Sequence, residues 1–125
     1  MTQNIIKLHH SSLLVADTQS SLKFYCDILG LKQLDRPDFP YDGAWLDLGL
    51  QQLHLLELPN PDPTTGRPDH GGRDRHVAFN VLNLDVLKET LEHNKIPFTL
   101  SASGRRALFC RDLDGNALEF IEIAD

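Results

Sequence analysis

The strings Leu53–Leu58 (LHLLEL) and Leu118–Ile123 (LEFIEI) read as copies of one another. Each sets a metal-competent side chain, His54 or Glu119, at its second position and follows it with alternating apolar residues. The correspondence continues upstream. His10 precedes Asp17, at the opening of one helical stretch, by the same interval at which His76 precedes Asn83, at the opening of another. The chain between His10 and His54 is nearly as long as that between His76 and Glu119. Internal repetition constrains architecture before any single element is secure. A chain that repeats its fold and carries His or Glu at all four equivalent positions is expected to build one metal site between two half-domains.

The clearest boundary is PNPDPTTGRPDHGGRD, Pro59 to Asp74, with four of the seven prolines and three of the eight glycines and no apolar periodicity. That composition reads as a loop. It divides a single domain, 1–125, into module one at 4–58 and module two at 75–125. Module one opens with the extended stretch IIKLHHSSLLV. Asp17 or Thr18 then caps the helix TQSSLKFYCDIL, whose apolar face is Leu22, Tyr25, Ile28 and Leu29, and Gly30 supplies a left-handed stop. Strands are expected at Lys32–Leu34, Ala44–Leu48 and Leu53–Leu58. Module two repeats the order. RHVAFNVL is a strand, and Asn83 or Asp85 caps LDVLKETLEH, with Leu84, Leu87 and Leu91 as its stripe and Asn94 as its stop. Strands follow at Pro97–Leu100, Ala107–Arg111 and Ala117–Ile123, the last two joined through the turn DLDGN. Each half is β-α-β-β-β, and the class is α+β.

Strand side chains alternate between faces, so parity decides which residues meet. In module two Val77, Phe79 and Val81 suit a packing helix, whereas His76, Ala78, Asn80 and Leu82 form a mixed, cavity-like face. In module one His10, Ser12 and Leu14 lie opposite Leu13 and Val15, and His9 faces away from His10. In the closing strands His54, Leu56 and Leu58 match Glu119, Ile121 and Ile123, while Glu57 and Glu122 match each other on the other side. Parity thus selects His10, His54, His76 and Glu119 as one set.

With 125 residues and a net charge of −6, the chain is long enough for one core and ill suited to nucleic acid or an anionic membrane as its main partner. Two cysteines, Cys26 and Cys110, form no framework or Cys-x-x-Cys site and read as small buried residues. The start MTQNIIKLHH lacks the regions of a signal peptide, and no apolar run is long enough to span a bilayer, so a cytoplasmic setting is expected.

The segments HSSLLVADTQSSLKFYCDILGL (His10–Leu31), HVAFNV (His76–Val81) and FCRDLDGNALEF (Phe109–Phe120) resemble the vicinal oxygen chelate superfamily of glyoxalases, bleomycin- and fosfomycin-resistance proteins and extradiol dioxygenases. The resemblance covers nearly the whole chain. It implies two βαβββ modules forming an eight-stranded, incompletely closed barrel around a divalent metal. The first and last strands of each module would supply the ligands, which fall on His10, His54, His76 and Glu119. His54 stands where glyoxalase I proteins usually have Glu, and Leu113 where the family's turn usually has Pro. The resemblance, and open sheet edges that need cover, also imply a homodimer. Whether both modules of one chain share a barrel, or modules swap between chains, stays open.

Three imidazoles and one carboxylate suit Zn, Ni, Fe, Co or Mn better than Ca or Mg. A small substrate with two neighbouring oxygens would complete the coordination, and Glu119, the only carboxylate of the set, is the candidate base. The cavity wall is expected to include Ser12, Asn80, Leu56, Ile121, Trp45 and Phe109. Arg105, Arg106 and Arg111 are candidates for holding an anionic group. Lyase or isomerase chemistry of the glyoxalase type is the first reading. A small-molecule sequestering protein is the second, and an iron-dependent ring-cleaving dioxygenase the third. His9, His70 and His93 read as surface residues.

Overall fold

The computed structural model describes residues 3–123. Its two halves begin their helices in the same way. Asp17 (φ −146, ψ 110) and Asn83 (φ −144, ψ 107) hold nearly identical extended backbones, and each side chain accepts from a backbone N–H of the first turn. Behind each cap stands a second acceptor: Glu57 Oε1 takes the Thr18 N–H and Glu122 Oε2 the Leu84 N–H, both at 2.8 Å. These are the two acids that parity set on the face opposite the ligands. They satisfy donors that every helix start leaves free, and place negative charge at the positive end of the helix dipole.

The strands are β1 (His10–Leu14), β2 (Lys32–Leu34), β3 (Gly43–Leu48), β4 (Gln51–Leu56), β5 (His76–Val81), β6 (Phe98–Leu100), β7 (Ala107–Arg111) and β8 (Ala117–Glu122). They form two four-stranded sheets, ordered β1-β4-β3-β2 and β5-β8-β7-β6. Only the β1–β4 and β5–β8 pairs are parallel; the others are antiparallel. The repeat holds at the level of register. Ser12 pairs with His54 and His54 with Trp45, just as Ala78 pairs with Glu119 and Glu119 with Phe109. The fold is α+β, and no closed barrel forms among the described residues.

Several boundaries differ from the sequence expectation. The first strand begins at His10, and Ile5, Ile6 and Leu8 are 70–79 % exposed instead of entering a sheet. Strand β4 ends at Leu56, and the Pro59–Asp74 loop contains a 3-10 turn, Gly71–Arg73. Helix α1 (Thr18–Leu22) runs into a π-helical stretch, Lys23–Ile28. That wider turn lets the consecutive residues Phe24 and Tyr25 both enter the core, where a 3.6-residue period would have turned Phe24 outward. Gly30 (φ 84) then stops the helix, with Leu31 N donating to Tyr25 O. Helix α2 (Leu84–His93) ends at Asn94, and the left-handed residue is Lys95 (φ 57).

The core lies on the helix side of both sheets. Leu53 and Leu55, flanking His54, and Leu118 and Phe120, flanking Glu119, are buried in one apolar cluster with Tyr25, Leu84 and Leu91. The halves are also tied by polar contacts. The Tyr25 hydroxyl donates to Asp112 Oδ2 at 2.6 Å, and Asn116 Nδ2 donates to Leu14 O at 3.1 Å. Asp112 Oδ1 accepts the N–H groups of Asp114 and Asn116, both at 2.9 Å, so this buried carboxylate organises the DLDGN turn. Leu113, in place of Pro, is 63 % exposed there and costs the turn nothing visible.

Candidate metal centre

Because the core claims one face of each sheet, the alternate residues are left on the other face, and the four ligand candidates meet there in two pairs. On the first sheet the His10 and His54 rings stack with centroids 4.0 Å apart, and Trp45 stacks on the far side of His54 at 4.3 Å with an interplanar angle of 4°. Burial, reinforced by the neighbouring His10, His9 and Arg36, pushes the His54 imidazole down to about 4. It is therefore neutral near pH 7, the form that offers a lone pair. His54 Nε2 lies 2.8 Å from Gln52 Oε1. An amide oxygen only accepts, so Nε2 carries the proton and Nδ1 the lone pair. His9 does not face away as expected: its Nδ1 is 2.9 Å from His10 Nδ1. It precedes the strand, so strand alternation does not govern it.

On the second sheet, His76 Nδ1 lies 2.8 Å from the Asp74 carbonyl oxygen. A carbonyl cannot donate, so Nδ1 carries an N–H, and in the neutral ring the lone pair is on Nε2. That nitrogen is 3.2 Å from Glu119 Oε1. A lone pair facing a carboxylate at this distance repels it unless a proton or a cation lies between them. Glu119 is 3 % exposed, and its other oxygen, Oε2, accepts from Arg105 Nη2 at 2.9 Å. A backbone carbonyl that fixes the tautomer of one imidazole, beside a buried carboxylate, is the support that metal-binding histidines characteristically have.

Phe109 meets His76 edge-on, with centroids 5.3 Å apart. The Gly71–Arg73 turn lies against Phe109, and a Cβ at Gly72 would come within 3.1 Å of that ring. The same turn brings His70 to 4.9 Å from Phe109, where its ring accepts from Gly72 N and lies 3.2 Å from Leu100 O. Together His70, Arg73, His76, Arg105, Phe109 and Glu119 line a cavity of about 340 Å³. His70 was read from the sequence as a surface residue. Nothing periodic in a Pro- and Gly-rich loop announces such a placement.

Of the other wall candidates, Ser12 is exposed opposite His54, and Leu56 and Ile121 are half-buried at matching positions one step further along their strands. Asn80 Nδ2 reaches Ile121 O at 3.4 Å. Arg111 serves the fold instead of a ligand: it is tied to Asp74 Oδ2, Gly115 O and Pro68 O. Arg105 and Arg106 part to opposite faces, Arg105 to Glu119 and Arg106 to Glu122 and Asp85.

The two pairs do not meet in one chain. Among the described residues no group of three or more His, Cys, Asp or Glu side chains is gathered closely enough to hold an ion. Both β1 and β5 are edge strands, and His10, Ser12, His76, Ala78 and Asn80 on their ligand faces are exposed. Among the described residues no helix is long and apolar enough to cross a membrane.

A family model described as the Glyoxalase/Bleomycin resistance protein/Dioxygenase superfamily matches residues 7–120. The uncharacterized protein YaeR of Escherichia coli K12 is 31% identical over 128 residues, covering 93% of this chain and 95% of that one. A lactoylglutathione lyase of Salmonella typhimurium is 27% identical, covering 96% and 95%. Among solved structures, the E126Q mutant of the fosfomycin resistance protein FosX from Listeria monocytogenes, complexed with Mn(II) and 1S,2S-dihydroxypropylphosphonic acid, superposes with a TM-score of 0.74. At 16% identity, with 96% of this chain and 94% of that one covered, it supports the fold.

Proposed function

The chain belongs to the glyoxalase/bleomycin resistance protein/dioxygenase superfamily, and on that premise we propose that His10, His54, His76 and Glu119 hold one divalent metal ion at the junction of two copies. The observation that carries this reading is His76 Nε2 facing Glu119 Oε1 at 3.2 Å with Nδ1 held by a backbone carbonyl, an arrangement in which a metal ion can take the place of a proton between the two atoms. Two imidazoles on one sheet and an imidazole with a carboxylate on the other make a donor set for Zn, Ni, Fe, Co or Mn. Because the pairs lie apart in a single chain, the His10/His54 face of one copy meets the His76/Glu119 face of another. The open edges of β1 and β5 are where the copies join, which makes the protein a homodimer.

The substrate class is a small molecule that presents two neighbouring oxygens to the site, and the reaction a lyase or isomerase step beginning with proton removal. A bound ion would supply Lewis-acid stabilisation of the negative charge that develops on the substrate. The chain supplies the rest. Glu119 directs Oε1 toward His76 and keeps Oε2 against Arg105, and it is the one carboxylate of the set and so the base. Oε2 is the atom that takes the proton. Trp45 and Phe109, on the strands next to His54 and Glu119, wall the pocket and keep water from the reacting atoms.

Protein purified without chelator is expected to carry close to one zinc, nickel, iron, cobalt or manganese ion per chain by elemental analysis. Absence of metal together with no affinity on titration overturns the reading, and leaves a metal-independent binding protein in its place.

A further inference from the structure

The cavity beside Glu119 carries more positive charge than its single carboxylate balances. Its charged lining residues are Arg73, Arg105 and Glu119. Glu119 is paired with Arg105. The ion pairs among the described residues leave Arg73 without a carboxylate partner. A divalent ion at Glu119, as proposed above, would enlarge the surplus. This happens in a chain whose net charge is −6, so the excess is a local feature.

The geometry of the wall adds donors to the charge. Ser101 and Ser103 also line the cavity. Their hydroxyls lie 2.7 Å apart and shape the turn that carries Arg105, with Ser103 Oγ accepting from Arg105 N at 3.4 Å. Gly104 (φ 84) lets that turn double back. Arg105 is 57% exposed and gives one of its nitrogens to Glu119, so its remaining N–H groups are free for a second acceptor. Arg73, at the end of the Gly71–Arg73 turn that lies against Phe109, lines the same cavity.

We infer that this cavity is an anion subsite: the substrate carries, beside its two chelating oxygens, a carboxylate or a phosphate-like group held by Arg73 and Arg105. The inference rests on the metal reading and extends it to the substrate's charge. Two guanidiniums converging on one oxyacid group are a strong and directional arrangement. Arg105 then touches both the ligand carboxylate and the substrate, and Arg73 the substrate alone.

The test is calorimetric titration of the nickel-loaded protein with three hydroxamates. Acetohydroxamate chelates and carries no charged tail, succinic monohydroxamate adds a carboxylate, and phosphonoacetohydroxamate adds a phosphonate. One or both charged tails should tighten binding roughly ten-fold or more over acetohydroxamate. Which tail gains tells a carboxylate substrate from a phosphate-like one. Arg73→Gln, at an exposed position outside the proposed ligand set, should lose most of that gain while acetohydroxamate binding stays as it was. Equal affinity for all three probes, or a gain untouched by Arg73→Gln, overturns the anion subsite and leaves the metal reading standing. Failure of the protein to take up nickel removes the metal reading and this inference with it, whereas a nickel-loaded protein that binds none of the three probes overturns this inference alone.

Discussion

Glu119→Ala is expected to weaken divalent-metal affinity by more than about 100-fold, beyond the usual effect of losing a supporting residue. Glu57→Ala should leave that affinity unchanged. The contrast follows from parity made concrete. Glu119 lies on the open face of β8, 3% exposed, against His76 and Arg105. Glu57 lies past the end of β4 on the helix side, where its carboxylate accepts the Thr18 N–H. Its removal should cost about 1 kcal/mol of stability, as loss of a helix-capping acceptor does. Equilibrium dialysis against zinc, with urea unfolding of each variant, separates the two effects. Equal metal loss in both variants would contradict the assignment.

The second large effect concerns stability. Leu118→Ala should destabilise the protein by about 2–5 kcal/mol, the range for a Leu truncated in a packed core. Leu118 is fully buried at the centre of its sheet, in register with Val77 on β5 and Cys110 on β7. Cys110 is held by ladders on both sides and Val77 by its ladder to β8, so neither collapses freely into the space left behind. Leu113→Ala, at an exposed turn position, should stay within about 0.5 kcal/mol. Urea unfolding of metal-free protein at one fixed concentration is the appropriate measurement, since metal and subunit association would add their own linkage. A Leu118 variant as stable as the Leu113 one would mean that the core does not run through the second sheet.

What the residues alone made legible was the repeat, and through it most of the fold. Alternation assigned His54 and Glu119 to one face and Glu57 and Glu122 to the other, and the registers and helix-capping bonds agree. Capping residues and Gly30 marked the helix ends because their chemistry is local. The residues that escaped lie where pattern gives way to tertiary contact. Ile5, Ile6 and Leu8 have the composition of a strand yet pair with nothing among the described residues. Phe24 turns inward only because a π turn intervenes. Arg105 and Arg111 look alike in sequence, yet one faces Glu119 and the other is bound up with Asp74 and two backbone carbonyls. That His10 and His54 lie apart from His76 and Glu119 depends on how the two sheets pack, on which strand periodicity is silent.

The central claim, that each metal centre draws one pair of ligands from each of two copies, is tested most directly by mixing two inactive proteins. One carries His10→Ala and His54→Ala, the other His76→Ala and Glu119→Ala, and neither should bind metal alone. After joint refolding, random pairing makes half the dimers mixed, each with one of its two sites intact, so metal binding should return to about one quarter of the wild-type level. No recovery, from mixtures in which mixed dimers are shown to form, would place all four ligands within a single chain and contradict the account.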